Sequence, residues 1–286
     1  MAQDVGVVII HGMGSQPENF AVAMVDRLER EVRKRGEDSS RIAFEAIWWA
    51  GALIDKEREL LGAMTANARL DWMGLRTFVV NNLADALAYQ KTARVPAAED
   101  ERPVYDAIHA AVAMHLNQLA KNVRPTAPLV VIAHSLGCHI MSNYIWDAQR
   151  PTPSQSNHVI EKANPFENCE TLTTIATFGC NMPLFLLSNE RVEPIRFPAA
   201  NAGAAFPGKT PAQIAEVATW TNFFDRDDVL AWPLQPLAGY DRIVKDVQVN
   251  AGGWLSWSPR SHQDYWTDAS VVKPIAATLA KILALL

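Results

Sequence analysis

Long apolar runs are missing from this sequence. None of its hydrophobic stretches approaches the roughly 18 residues that a membrane-spanning helix needs, so no integral membrane segment is expected. Cysteine is scarce. The three present, Cys138, Cys169 and Cys180, are an odd number without metal-ligand spacing, which suits reduced thiols in the cytoplasm better than a disulfide framework. Positive charge is not in excess: 26 basic residues against 31 acidic give a formal charge of -5, with the basic residues scattered, which argues against nucleic acid as the main partner. The opening "MAQDVGVVIIHGMG" carries an acidic residue at Asp4 and lacks the basic start and cleavage site of a signal peptide. No internal repeat or obvious linker divides the chain. Its 286 residues can bury a sizeable core, and a single cytoplasmic domain over 1–286 is the expectation.

What is present is an alternation of strand and helix signals. "VGVVII" (5–10) is a continuous β-branched run, as expected for a parallel strand covered on both faces. "SQPENF" then offers Ser15 as N-cap with Glu18 three residues on, and Phe20, Met24, Val25, Leu28 and Val32 recur at helical spacing. Further strands are expected at 41–49, 128–133, 171–179, 218–225 and 243–249. Val104, Tyr105, Ile108, Val112, Leu116 and Leu119 mark an amphipathic helix, and Ile275, Leu279, Ile282, Leu283 and Leu286 give a terminal one its apolar stripe. Such alternation predicts a mostly parallel sheet with helices on both faces.

In such sheets functional groups gather at the C-terminal ends of the strands, and Ser135 sits at one of them, in "LVVIAHSLGCHI" (129–140). A strand that turns sharply into a helix needs small residues two positions either side of the turn residue, and Ala133 and Gly137 supply them. The turn lifts the hydroxyl clear of the backbone and places the next amide, that of Leu136, at the positive end of a helix. The plain alternative is that Ser135 only caps the helix.

A serine nucleophile requires a histidine base and a carboxylate to orient it. His134 adjoins the serine and is expected to point away along the strand. His139, His109 and His115 lie on helices, where surface or packing roles are expected, and His158 lies in a polar loop. His262, in "SPRSHQDYW", falls after the last expected strand and before the terminal helix, hence near the strand ends. For the acid, "TWTNFF" ends in "DRDDVL", which offers Asp225, Asp227 and Asp228. A cation site is the rival reading of these carboxylates, although the glycine turn and distal glutamate of a calcium loop are lacking.

In "IIHGMGS" the glycines let the backbone turn closely beneath a ligand, so the amide of Met13 can face the same point as that of Leu136, as an oxyanion hole. The alternative is a connecting or phosphate-binding loop, but GxGxxG spacing and a P-loop lysine are absent.

"HGMG", "AHSLG", "DRDDVL" and "SHQDYW", in that order, resemble the α/β-hydrolase superfamily, and in particular its compact bacterial lipase and esterase branch. The resemblance covers nearly the whole chain. It implies an α/β-hydrolase fold with a sheet of about six strands, Ser135 as nucleophile, His262 as base and then acid, and Met13 and Leu136 as oxyanion-hole donors. It selects Asp227, two residues before Val229, as the acid, with Asp225 and Asp228 as alternatives. Ala133 replaces the usual first glycine of the motif, and the leading strands of larger members are not expected. The reaction implied is acyl transfer from a small-molecule or lipid-like ester through an acyl-enzyme, with no cofactor and no metal. A transferase using the same acyl-enzyme and a catalytically silent binding protein are the other readings.

Residues 50–95, with Leu60, Leu61, Met64, Leu70, Trp72, Met73, Leu75, Phe78 and Val79, are expected to form a helical cap or lid over an apolar acyl pocket, or an extra packing layer. Trp232, Trp254, Trp257 and Trp266 suggest an aromatic wall near the acid and base. Nothing in the pattern indicates an oligomeric state.

Overall fold

A computed structural model describes residues 2–13, 16–52, 59, 62–63, 89, 103–150, 165–186, 193–252 and 261–286. Six strands lie within it: β1 (Val5–Ile10), β2 (Ile42–Ile47), β3 (Leu129–His134), β4 (Leu172–Phe178), β5 (Trp220–Asp225) and β6 (Val244–Val249). They form one sheet in the order β2-β1-β3-β4-β5-β6, and every neighbouring pair is parallel. Each strand falls on a run that the hydrophobic pattern marks. β1 and β3, apolar throughout apart from the closing His134, are buried at every position, whereas the edge strand β6 keeps only its two end valines, Val244 and Val249, buried.

Among the described residues four long helices cover the sheet: α1 (Val22–Lys34), α2 (Pro103–Ala120), α3 (Leu136–Ala148) and α4 (Ala269–Leu285). Side chains alternate across a strand, so β1 serves two cores. Val5, Val7 and Ile9 pack with Met24, Leu28 and Val32 of α1 and Ile275, Leu279 and Ile282 of α4. Val8 and Ile10 face the other way, into a layer built from Ile108, Val112 and Leu116 of α2 and Ile140, Tyr144 and Ile145 of α3. The result is a three-layer sandwich with the sheet at its centre.

One helix start differs from expectation. The first helix begins at Val22 behind Ala21, while Glu18 lies in a preceding turn and Ser15 is outside the described residues. The reason is tertiary: the loop leaving β1 is held to the end of β2, where the Trp48 indole N–H donates to the Gln16 carbonyl at 2.7 Å. A reciprocal capping box does form elsewhere, between Thr210 and Gln213 at the start of a short helix over Pro211–Ala215. Of the expected insertion at 50–95, only 50–52, 59, 62–63 and 89 lie among the described residues, so the cap or lid falls outside them. Among the described residues no helix is long and apolar enough to cross a membrane.

Candidate active site

β3 delivers Ser135 to the C-terminal edge of the sheet and α3 starts at the next residue. Between them the chain must reverse, and Ser135 absorbs the turn with φ 52 and ψ -124, a conformation that a non-glycine residue adopts only under strain. Its amide stays tied to the sheet through the Phe178 carbonyl of β4 at 3.1 Å. The small neighbours have a visible purpose. A Cβ at Gly137 would come within 2.5 Å of the His11 carbonyl oxygen, and one at Gly12 within 2.5 Å of the Ser135 Cβ. The first turn of α3 is thus pressed against the end of β1, bringing the Gly12–Met13 backbone beside the serine. Leu136, the first residue of α3, has an N–H that no carbonyl of its own helix can satisfy.

His262 reaches the same point from a short helical turn, Ser261–Asp264, between β6 and α4. The Ser135 hydroxyl donates to His262 Nε2 at 2.8 Å, and His262 Nδ1–H donates to Asp228 Oδ2 at 2.8 Å. All three are buried, at 0 %, 7 % and 5 % exposure for Ser135, His262 and Asp228. The carboxylate facing His262 therefore belongs to Asp228, not to Asp227. After β5 the chain makes a turn in which the Asp228 N–H donates to the Asp225 carbonyl, and this carries Asp228 back over the strand end while Asp227 at the tip faces solvent. Asp225 is buried but committed to the backbone: its carboxylate accepts from the N–H groups of Asp227 at 2.9 Å and Ala251 at 2.6 Å.

His11, which sequence reasoning passed over, holds the loop opposite. Its Nε2 accepts the Trp49 backbone N–H at 3.3 Å, and a backbone N–H can only donate; the ring proton therefore sits on Nδ1, 2.7 Å from the Gly12 carbonyl. Trp49 stacks on the ring, with centroids 4.9 Å apart, and its indole N–H donates to the His11 carbonyl at 3.0 Å. The bond from His11 Nδ1–H to the Gly12 carbonyl fixes the Gly12–Met13 peptide plane, and with it the direction of the Met13 N–H. Burial lowers the His11 pKa from its usual 6.5 to about 4, so the ring is neutral near pH 7.

His134 does not point away from the site. Its ring lies 4.7 Å from that of His262, and its Nε2–H donates to the His262 carbonyl at 2.7 Å. Burial, and then the proximity of His262, hold its pKa well below the usual value. His139 takes the packing role of the two expected for it, buried and stacked on Phe185 at 4.6 Å. His109 is buried among Tyr89, Tyr105 and Tyr144, whereas His115 pairs with Glu45 at 2.7 Å. Trp266 packs on Phe20, His134 and Phe178, Trp232 is 43 % exposed, and Trp254, Trp257 and His158 lie outside the described residues. The three cysteine thiols are free and buried.

A hydroxyl, an imidazole and a carboxylate in one buried hydrogen-bonded chain can move the serine proton onto the imidazole and stabilise the resulting imidazolium. Combined with a six-stranded parallel sheet in this order and a strained strand-to-helix turn at the serine, the arrangement is that of the α/β-hydrolase fold with a serine-hydrolase type of network. Comparison with protein-family models and with curated proteins found no match for the chain.

Proposed function

We propose that the protein is a serine hydrolase that cleaves a carboxylic ester of a small or lipid-like acyl group. The observation that carries this reading is the unbroken Ser135–His262–Asp228 chain on a residue held at positive φ. Ser135 Oγ attacks the ester carbonyl as His262 Nε2 takes its proton; Asp228 keeps Nδ1 protonated and stabilises the charge that forms. His262 then gives the proton to the departing alcohol. Water, activated by the same imidazole, releases the acyl group from the serine. The amides of Met13 and Leu136 stabilise the oxyanion, each contributing about 3 kcal/mol to the lowering of the barrier. Besides the ester and water, these steps use side chains and backbone of this chain.

A fluorophosphonate probe tests the assignment. It is expected to label Ser135, and Ser135→Ala and His262→Ala are each expected to abolish both labelling and p-nitrophenyl ester hydrolysis. Labelling that survives in Ser135→Ala would remove the serine from the nucleophile's role.

A further inference from the structure

Three residues after His262 the chain presents Tyr265, fully buried beneath the site. A helical turn carries residues i and i+3 to one side, so both approach the same carboxylate. The Tyr265 hydroxyl lies 2.8 Å from the Asp225 N–H and 3.0 Å from Asp228 Oδ2. An amide N–H can only donate. The phenol must therefore accept from Asp225 and direct its single proton to Asp228. Asp228 Oδ2 then receives two donors, Tyr265 O–H and His262 Nδ1–H, while Oδ1 takes the Leu230 N–H at 3.0 Å.

We propose that Tyr265 is a positioning residue that acts through Asp228: it fixes the carboxylate against His262 and, by drawing on the charge of the shared oxygen, limits how strongly Asp228 stabilises the His262 imidazolium. This rests on the reading of Ser135, His262 and Asp228 as the reacting set. A charge-assisted hydrogen bond of this kind is roughly twice as strong as a neutral one, so the second donor is a substantial competitor for the first.

The surroundings leave His262 as the group that reports on this oxygen. His134, from β3, is held neutral by burial, and His11, beyond it, by the same cause. Asp225, at the end of β5, has both carboxylate oxygens bonded to backbone N–H groups. Asp264, on the same helical turn as His262, is half-buried. Burial and the charge of Asp228 raise the Tyr265 pKa, which keeps the phenol protonated and donating.

The experiment follows the imidazole nitrogens of His262 by NMR across pH in the full-length protein, alongside the pH profile of p-nitrophenyl ester hydrolysis. In Tyr265→Phe the shared oxygen becomes a stronger acceptor. The His262 titration midpoint is expected to rise, with about a threefold gain in proton binding, and the acid limb of kcat/KM to move with it. kcat is expected to fall severalfold while KM stays within about twofold, because the carboxylate loses an anchor. Placing 3-fluorotyrosine at 265 retains the shape and strengthens the donor, so the midpoint is expected to fall. Should Tyr265→Phe fail to fold, the fluorinated protein still decides the matter. A midpoint unmoved in the folded variants, with activity lowered equally at every pH, would reduce Tyr265 to a packing residue and overturn the proposal. The NMR readout needs no turnover, so loss of the Ser135 assignment in the labelling experiment is a separate result.

Discussion

Asp227 and Asp228 are adjacent and carry the same side chain, yet one faces solvent and the other is buried against an imidazole at 2.8 Å. The difference is the turn over Asp225–Asp228, which leaves Asp227 at its exposed tip and brings Asp228 back over the strand end. Asp228→Asn keeps the shape of the side chain but removes its charge and presents His262 with the wrong partner. A loss on the order of 10⁴-fold in kcat is expected, as in triads of this type. Asp227→Asn is expected to stay within about twofold of the parent, being an exposed change away from the network. Hydrolysis rates of the two purified variants check this, and equal losses in both would contradict the placement of the acid.

At the scale of elements, the site depends on how closely α3 approaches β1. The turn at Ser135 aims the helix, and Gly137 lets its first turn come down onto the His11 carbonyl. Gly137→Ala puts a methyl group where only 2.5 Å is available, so the helix start must shift away from the Gly12–Met13 backbone. The two amides that would share an oxyanion then separate. The expected result is a fall of about 10²-fold in kcat together with about 1–3 kcal/mol of destabilisation. Urea unfolding and ester turnover measure the two effects, and an unchanged kcat in a destabilised protein would detach the helix position from the chemistry.

For the whole molecule, the buried rings of His11 and His134 couple the fold to pH. Burial depresses the folded pKa of His11 from 6.5 to about 4 and that of His134 well below its usual value. The unfolded chain therefore binds more protons below pH 6.5 than the folded one, and stability falls as pH falls. The contribution is fully present above about 6.5 and is lost as pH drops toward 4; for His11 alone it is on the order of 3 kcal/mol. Urea midpoints at pH 7 and pH 5 check the sign, with the lower midpoint expected at pH 5 and a shallower pH dependence in His11→Gln. A midpoint independent of pH would mean that the rings are hydrated in the folded state.

The six described strands, the helical layers and the place of Ser135 are all legible in the residues alone, because each rests on local chemistry: β-branched runs, a 3.6-residue apolar period, and small residues around a tight turn. His262 was legible as a loop histidine near the strand ends. Which carboxylate it meets was not, since neighbouring aspartates differ only through a turn whose geometry no spacing reports. Nor were the start of α1, the contact of His134 with His262, or the bond of His11 to the Trp49 backbone. These depend on contacts made only once the sheet has closed. A buried donor or acceptor takes whatever partner the closed sheet brings to it, and here those partners lie 34, 38 and 128 residues away along the chain.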